Sequence, residues 1–205
     1  MSPRLLPAVV LAVPGVGLGA AGLFHPHRLL PANADQWYVV HLGGLVLFPL
    51  VGVALALLVR GRVDPLAWLV RVGAFGWAVF YTSLDVVYGV VAGRVTAQME
   101  DGYQRSADFT LMLRTAEDLG RVGSWSLIAT AVVLVVDTTL RRGPAVAALA
   151  LPMVLGGYLV HADHIFSPQG ALGAALVGLS TGALAWNLPE TRWRENATSG
   201  SLTAS

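Results

Sequence analysis

The chain has no cysteine and no lysine among its 205 residues, and charged residues make up only 12% of it. The missing thiol excludes disulfides, thiolate metal sites, iron–sulfur ligation and a cysteine nucleophile, so any chemistry has to come from His, Asp, Glu, Tyr or hydroxyl groups. The scarcity of charge excludes an ordinary soluble domain, which carries about 25% charged residues. With a formal net charge of +1 and no basic tract, nothing in the sequence invites nucleic acid. The HExxH zinc pattern, the GxSxG elbow and a phosphate-cradling glycine loop are absent too. The exclusive use of arginine as the strong base reads as the composition of a GC-rich bacterium.

What is present is apolar. Hydrophobic residues make up 55% of the chain and the mean hydropathy is +0.65, values of an integral membrane protein. A spanning helix needs about 20 mostly apolar residues. Six segments qualify, at 5–23, 39–59, 66–91, 117–136, 144–163 and 171–188, which predicts an all-α polytopic bundle of six transmembrane helices in a single domain over 1–193. The first segment resembles a signal peptide in its single leading arginine and small residues, but its apolar run is longer than an ordinary signal core, so a retained helix is expected. After Trp193 the chain turns to Ala, Thr, Ser and Gly, and 194–205 is expected to be a disordered cytoplasmic tail. Its Asn196-Ala197-Thr198 sequon then lies on the wrong side to be used.

Arginine placement orients the bundle. Arg4, Arg60, Arg62, Arg71, Arg141, Arg142, Arg192 and Arg194 fall on one side, and Arg28, Arg94, Arg105, Arg114 and Arg121 on the other, diluted by acids. The arginine-rich side is expected to be cytoplasmic, which puts both termini inside. Trp37 and Tyr38 at one interface, with Trp68 and Trp186 at the other, fit aromatic belts. Trp77 falls mid-span, as a packing residue would. The long connection 94–116 reads equally as an amphipathic flap or as a solvated connector. Gly15, Gly19 and Gly22 form a small-residue stripe on the first helix, suited to close packing within the bundle.

On this topology His25, His27, His41, His161 and His164 all fall near the extracytoplasmic rim, together with Asp85, Glu117 and Asp118. Ionisable groups at membrane depth are expensive and mark functional sites by default. Asp85 sits six residues before the end of its span, about 9 Å below the rim at 1.5 Å per residue, with Tyr81, Thr82, Tyr88 and Gly89 one turn away. The fourth span has to draw in Glu117, Asp118 and Arg121 to reach full length, and Arg121 can pair with either acid. Asp137 has Arg141 one turn on, a structural pair. Gly157, Tyr158, His161 and His164 share one side of the fifth helix. His25 and His27 flank a proline at a helix end, where both rings read as readily as solvated loop residues.

These residues predict a membrane-embedded enzyme, a cyclase or isomerase (lyase-like) in a bacterial cell membrane. The bilayer and a lipophilic small-molecule substrate are its expected partners. The concrete version is protonation-initiated cyclisation or isomerisation of a terpenoid. Asp85 is the general acid, Glu117 or Asp118 tunes it, and His161 or His164 receives the final proton. His41, Tyr81, Tyr88, Trp125 and Tyr158 would hold the substrate, with aromatic faces steadying a developing cation. This version requires no cofactor. A variant keeps the cavity and places a divalent metal on His41, His161, His164 and Asp85. The alternatives are a cytochrome b-like carrier with haem b between His41 and His161 or His164, and a small-molecule transporter or non-catalytic subunit. The sequence shows no inverted repeat to support transport.

Overall fold

The computed structural model describes residues 2, 4–99 and 104–188, and the proposed tail at 194–205 lies outside them. The described residues are helical, without strands, and form six long helices. These are α1 (Leu5–Gly22), α2 (Ala34–Leu57), α3 (Pro65–Thr96), α4 (Ala107–Arg142), α5 (Pro144–Asp163) and α6 (Gln169–Trp186). The first five are long and apolar enough to cross a membrane, whereas α6 carries the polar side chains of Gln169, Ser180 and Thr181.

Each helix packs against its neighbours in sequence, and α6 closes back onto α1, so the six form a ring. The seam between α1 and α6 is built from glycine. A methyl on Gly15 would meet the backbone of Gly178 at 2.5 Å, and one on Gly182 would meet the Ala8 carbonyl at 2.8 Å. Small residues let helix backbones approach where lipid gives no hydrophobic drive to associate. Large apolar side chains instead cover the perimeter, among them Val9, Val13, Val46, Val72, Phe75 and Leu179. Buried Phe48, Trp77 and Tyr81 fill the middle, with the Trp77 Nε1–H donating to the Phe48 carbonyl at 3.0 Å.

Several elements run beyond the lengths read from hydropathy. At 36 residues α4 is about 54 Å long, well over the ~30 Å of a bilayer core. Its added N-terminal turns take up the end of the 94–116 connection, and Ser106 caps them by accepting from the Phe109 N–H at 3.1 Å. On the other side of that connection α3 continues to Thr96. Helix α3 also departs from regular α geometry, with π turns at Trp77–Tyr81 and Asp85–Val91. Such turns concentrate at functional sites.

Because consecutive helices alternate in direction, the α1–α2 and α5–α6 connections meet at one end of the ring, here the histidine end. At the opposite end Arg62 donates to both oxygens of Asp137 at 2.6 Å and to Asp64, while Arg141 donates to Asp137 at 2.9 Å and pairs with Asp64 at 3.1 Å. The Asp137–Arg141 pair expected from spacing is therefore one edge of a four-membered network. Arg62 holds the Asp64 carboxyl below the usual carboxylate range and its own guanidinium above its ordinary value.

Candidate functional site at the histidine end

The site starts from local backbone geometry. Helix α2 begins at Ala34, so Trp37 and His41 stand one turn apart on its inner face, and the His41 Nδ1–H donates to the Trp37 carbonyl at 2.6 Å. Beyond the end of α1, His25 folds back over the ring and its Nδ1–H donates to the Pro26 carbonyl at 2.7 Å. Gln36 fixes that connection by donating to the Phe24 carbonyl at 2.8 Å, and His27 by donating to the Ser167 carbonyl at 2.8 Å. His164 follows α5 in the left-handed region, at φ 52°, a conformation that costs a non-glycine residue about 1–3 kcal/mol. There its Nδ1 meets the Tyr81 hydroxyl at 2.6 Å.

A carbonyl oxygen only accepts, so in neutral His25 and His41 the proton sits on Nδ1 and the lone pair on Nε2. Those two Nε2 atoms face each other at 3.3 Å. One ring nitrogen from each of His25, His41 and His164 lies within 4.8 Å of the others. The Asp85 carboxylate stands 3.9 Å from His41 Nε2, is only 1% exposed, and neither of its oxygens has a hydrogen-bond partner among the described residues. Leaving such a group unsatisfied costs about 1–3 kcal/mol even when it is neutral, and more when it is charged.

Two glycines make the approach possible. A methyl on Gly89 of α3 would overlap the His41 ring, and one on Gly44 of α2 would sit 2.8 Å from both Asp85 oxygens. Each helix thus carries a notch for the other's functional side chain. Aromatic rings close the cluster from outside: Trp37 and Phe166 pack edge-on to His25 at 4.8 and 4.7 Å, and Tyr81 stacks on His164 at 5.4 Å. This enclosure pushes the His25 pKa down to about 4 and lowers that of His164 well below the ordinary value, first by burial and then by the neighbouring imidazoles. Both rings are therefore neutral near pH 7, the form that binds metals.

The cluster forms part of the wall of a cavity of about 310 Å³, to which His41 and His164 contribute. Leu84 and Val160 add apolar surface, and His161 and Glu117 add polar groups. His161 belongs to the cavity and not to the cluster, since its Nδ1 pairs with the Ser124 hydroxyl at 2.9 Å and its ring lies 4.8 Å from that of Trp125.

The structure thus brings together His41, His164, Asp85 and Tyr81, and adds His25, which sequence spacing leaves as a loop residue. Tyr88 lines the cavity and accepts the Trp37 Nε1–H on its carbonyl at 3.2 Å. Asp118 points outward, paired with Arg121 at 3.3 Å with both side chains exposed. Trp125 and Tyr158 are each 58% exposed and do not line the cavity. Asp85 reaches the cavity only through His41. No protein-family model matches the chain, and comparison with curated proteins and with solved structures finds no match.

Proposed function

We propose that this chain is a membrane-embedded enzyme that converts a lipophilic small molecule by acid/base chemistry in the cavity at its histidine end. The observation that supports this reading is one arrangement. Three clustered imidazoles, two of them buried, and a buried carboxylate beside them meet a cavity large enough for a small ligand through His41 and His164, and a further imidazole, His161, stands on the cavity wall. In this reading six helices span the bilayer, both termini are cytoplasmic, and the cavity lies toward the extracytoplasmic face. The four-membered Arg–Asp network then marks the cytoplasmic rim, in keeping with the positive-inside rule.

The division of labour follows from position. The cluster of His25, His41, His164 and Asp85 is the electrophilic end, and His161, oriented by Ser124, is the base that removes the departing proton. A terpenoid alcohol is the concrete substrate: its oxygen meets the cluster and its chain lies along Leu84 and Val160. Asp85, through His41 on the cavity wall, gives a proton to one substrate carbon and His161 takes one from another, so the isomerised or cyclised product has unchanged mass. Haem ligation between His41 and His161 or His164 fits less well, because His161 pairs with Ser124 and the His25 ring lies against both His41 and His164, at 4.7 and 5.7 Å, where a porphyrin would have to pass.

The test uses protein reconstituted in lipid vesicles, an acyclic polyprenyl alcohol, and separately the total lipid extract of the expressing cells. The expected result is a product of the same mass as its precursor, formed about 10²–10⁴-fold more slowly by His161→Phe. If the wild-type protein consumes no compound in either preparation, the enzyme reading is wrong.

A further inference from the structure

We propose that His25, His41 and His164 bind one divalent transition-metal ion of the zinc or iron type, with the Asp85 carboxylate beside it to balance its charge and the fourth coordination position open to the cavity. This deepens the enzyme reading above and rests on it for the role of the open position. The binding itself can be measured with no substrate present.

Four observations support a metal here. First, the hydrogen bonds to the Pro26 and Trp37 carbonyls fix His25 and His41 as Nδ1–H tautomers, so their two Nε2 lone pairs confront each other at 3.3 Å. Metal-binding histidines characteristically donate their other ring N–H to a carbonyl or carboxylate in this way. Second, that separation is the edge of a tetrahedron built on metal–nitrogen bonds of about 2.0–2.1 Å, which is about 3.3 Å. Third, the third imidazole lies within 4.8 Å, so closing on a shared ion needs a movement of about 1–1.5 Å. Fourth, Asp85 is a buried carboxylate with both oxygens unpartnered, held over the Gly44 notch beside His41. A divalent cation satisfies the lone pairs and the carboxylate together.

The donor set narrows the ion. Three imidazoles and a carboxylate, with no thiolate anywhere in the chain, suit Zn²⁺ or Fe²⁺ and do not suit Cu(I) or an iron–sulfur cluster. His41 and His164 border the cavity while His25 does not, so the exposed side of the ion faces the substrate space. There it acts as a Lewis acid on the substrate oxygen, or holds a water whose proton is released near neutral pH.

The experiment titrates CoCl₂ into the full-length protein, purified without a histidine tag and stripped with a chelator, and reads visible ligand-field absorption and bound metal per chain. The expected result is one Co²⁺ per chain with the intense bands of a low-coordinate nitrogen and oxygen site, displaced by Zn²⁺. His25→Gln, His41→Gln and Asp85→Asn are each expected to weaken binding at least 10-fold, whereas His27→Gln and His161→Phe keep it. Size-exclusion profiles of every variant separate loss of the site from loss of the fold. Wild-type protein that is monodisperse and takes up no stoichiometric Co²⁺ or Zn²⁺ overturns the metal site and leaves the enzyme reading standing. Metal binding without turnover of any lipid does the reverse. Binding that survives His41→Gln but is lost in His27→Gln moves the site to the surface and refutes the assignment.

Discussion

Replacing Gly89 with alanine tests the site without touching a ligand atom. A methyl at that position overlaps the His41 ring and stands 2.7 Å from the His41 Cβ, where ordinary contact is 3.4–4 Å. The imidazole, or the whole of α2, must retreat by about 1 Å, whereas ligand distances at a metal tolerate only about ±0.2 Å. Overpacking of this kind costs about 1–3 kcal/mol in a close-packed interior. Losing the support that orients a ligand costs about 10–100-fold in metal affinity, or about 1.4–2.8 kcal/mol. The assay is competitive Co²⁺ binding against a chelator, run beside thermal unfolding in detergent. Gly43→Ala is the control: a methyl there has nothing within 4 Å, so it should leave binding unchanged and raise helix stability slightly. Should Gly89→Ala bind Co²⁺ as tightly as the parent, the His41 imidazole is not held by that notch and the geometric argument for the centre fails.

Gly178→Val places atoms against the Val16 N–H and the Ala12 carbonyl of α1, so the α1–α6 seam should open and the unfolding temperature fall by several degrees; an unchanged melt refutes close packing there. Arg62→Gln removes the bidentate partner of Asp137 but leaves Arg141 in place, so a loss of about 1–3 kcal/mol is expected in thermal or denaturant unfolding at pH 7. Since Arg62 lowers the Asp64 pKa, that part of the stabilisation is full above the unfolded carboxyl value of about 3.9 and fades as pH falls through the lower folded value. Parent and Arg62→Gln unfolding temperatures should therefore stay apart from pH 7 to about 4 and converge below it; a gap that closes at pH 6 contradicts this. Ser124→Ala frees the His161 ring to turn and should slow lipid turnover about 10-fold with Co²⁺ affinity unchanged.

The helical class and the presence of helices long and apolar enough to cross a membrane were legible because apolar length is a strong signal, and the arginine end was readable because Asp137 and Arg141 are one turn apart. Helix ends were harder. The span read from hydropathy starts at Glu117, yet α4 begins at Ala107 and takes in Asp108 and Arg114 as regular helix. The site was legible only in part. Asp85, His41 and His164 stood out as costly groups at one depth, but His25 was indistinguishable from a loop residue, since its burial depends on Trp37 and Phe166, which are distant in sequence. Regular helical spacing groups His161 with His164, yet the chain leaves the helix at Asp163, and the left-handed turn at His164 sends the two rings to different partners. The notches at Gly44 and Gly89 left a faint trace, each one turn after a polar residue of its own helix, and became meaningful only when α2 and α3 were seen side by side.

Closure of the ring by α1 and α6 has a consequence for biogenesis. His25 and His41 leave the ribosome with α1 and α2, whereas His164 follows α5, more than a hundred residues later, so the three meet late in synthesis. An ion would therefore be captured late, and once captured it would rivet the α1–α2 connection to the α5–α6 connection, so that chelation loosens the joint that closes the barrel of helices.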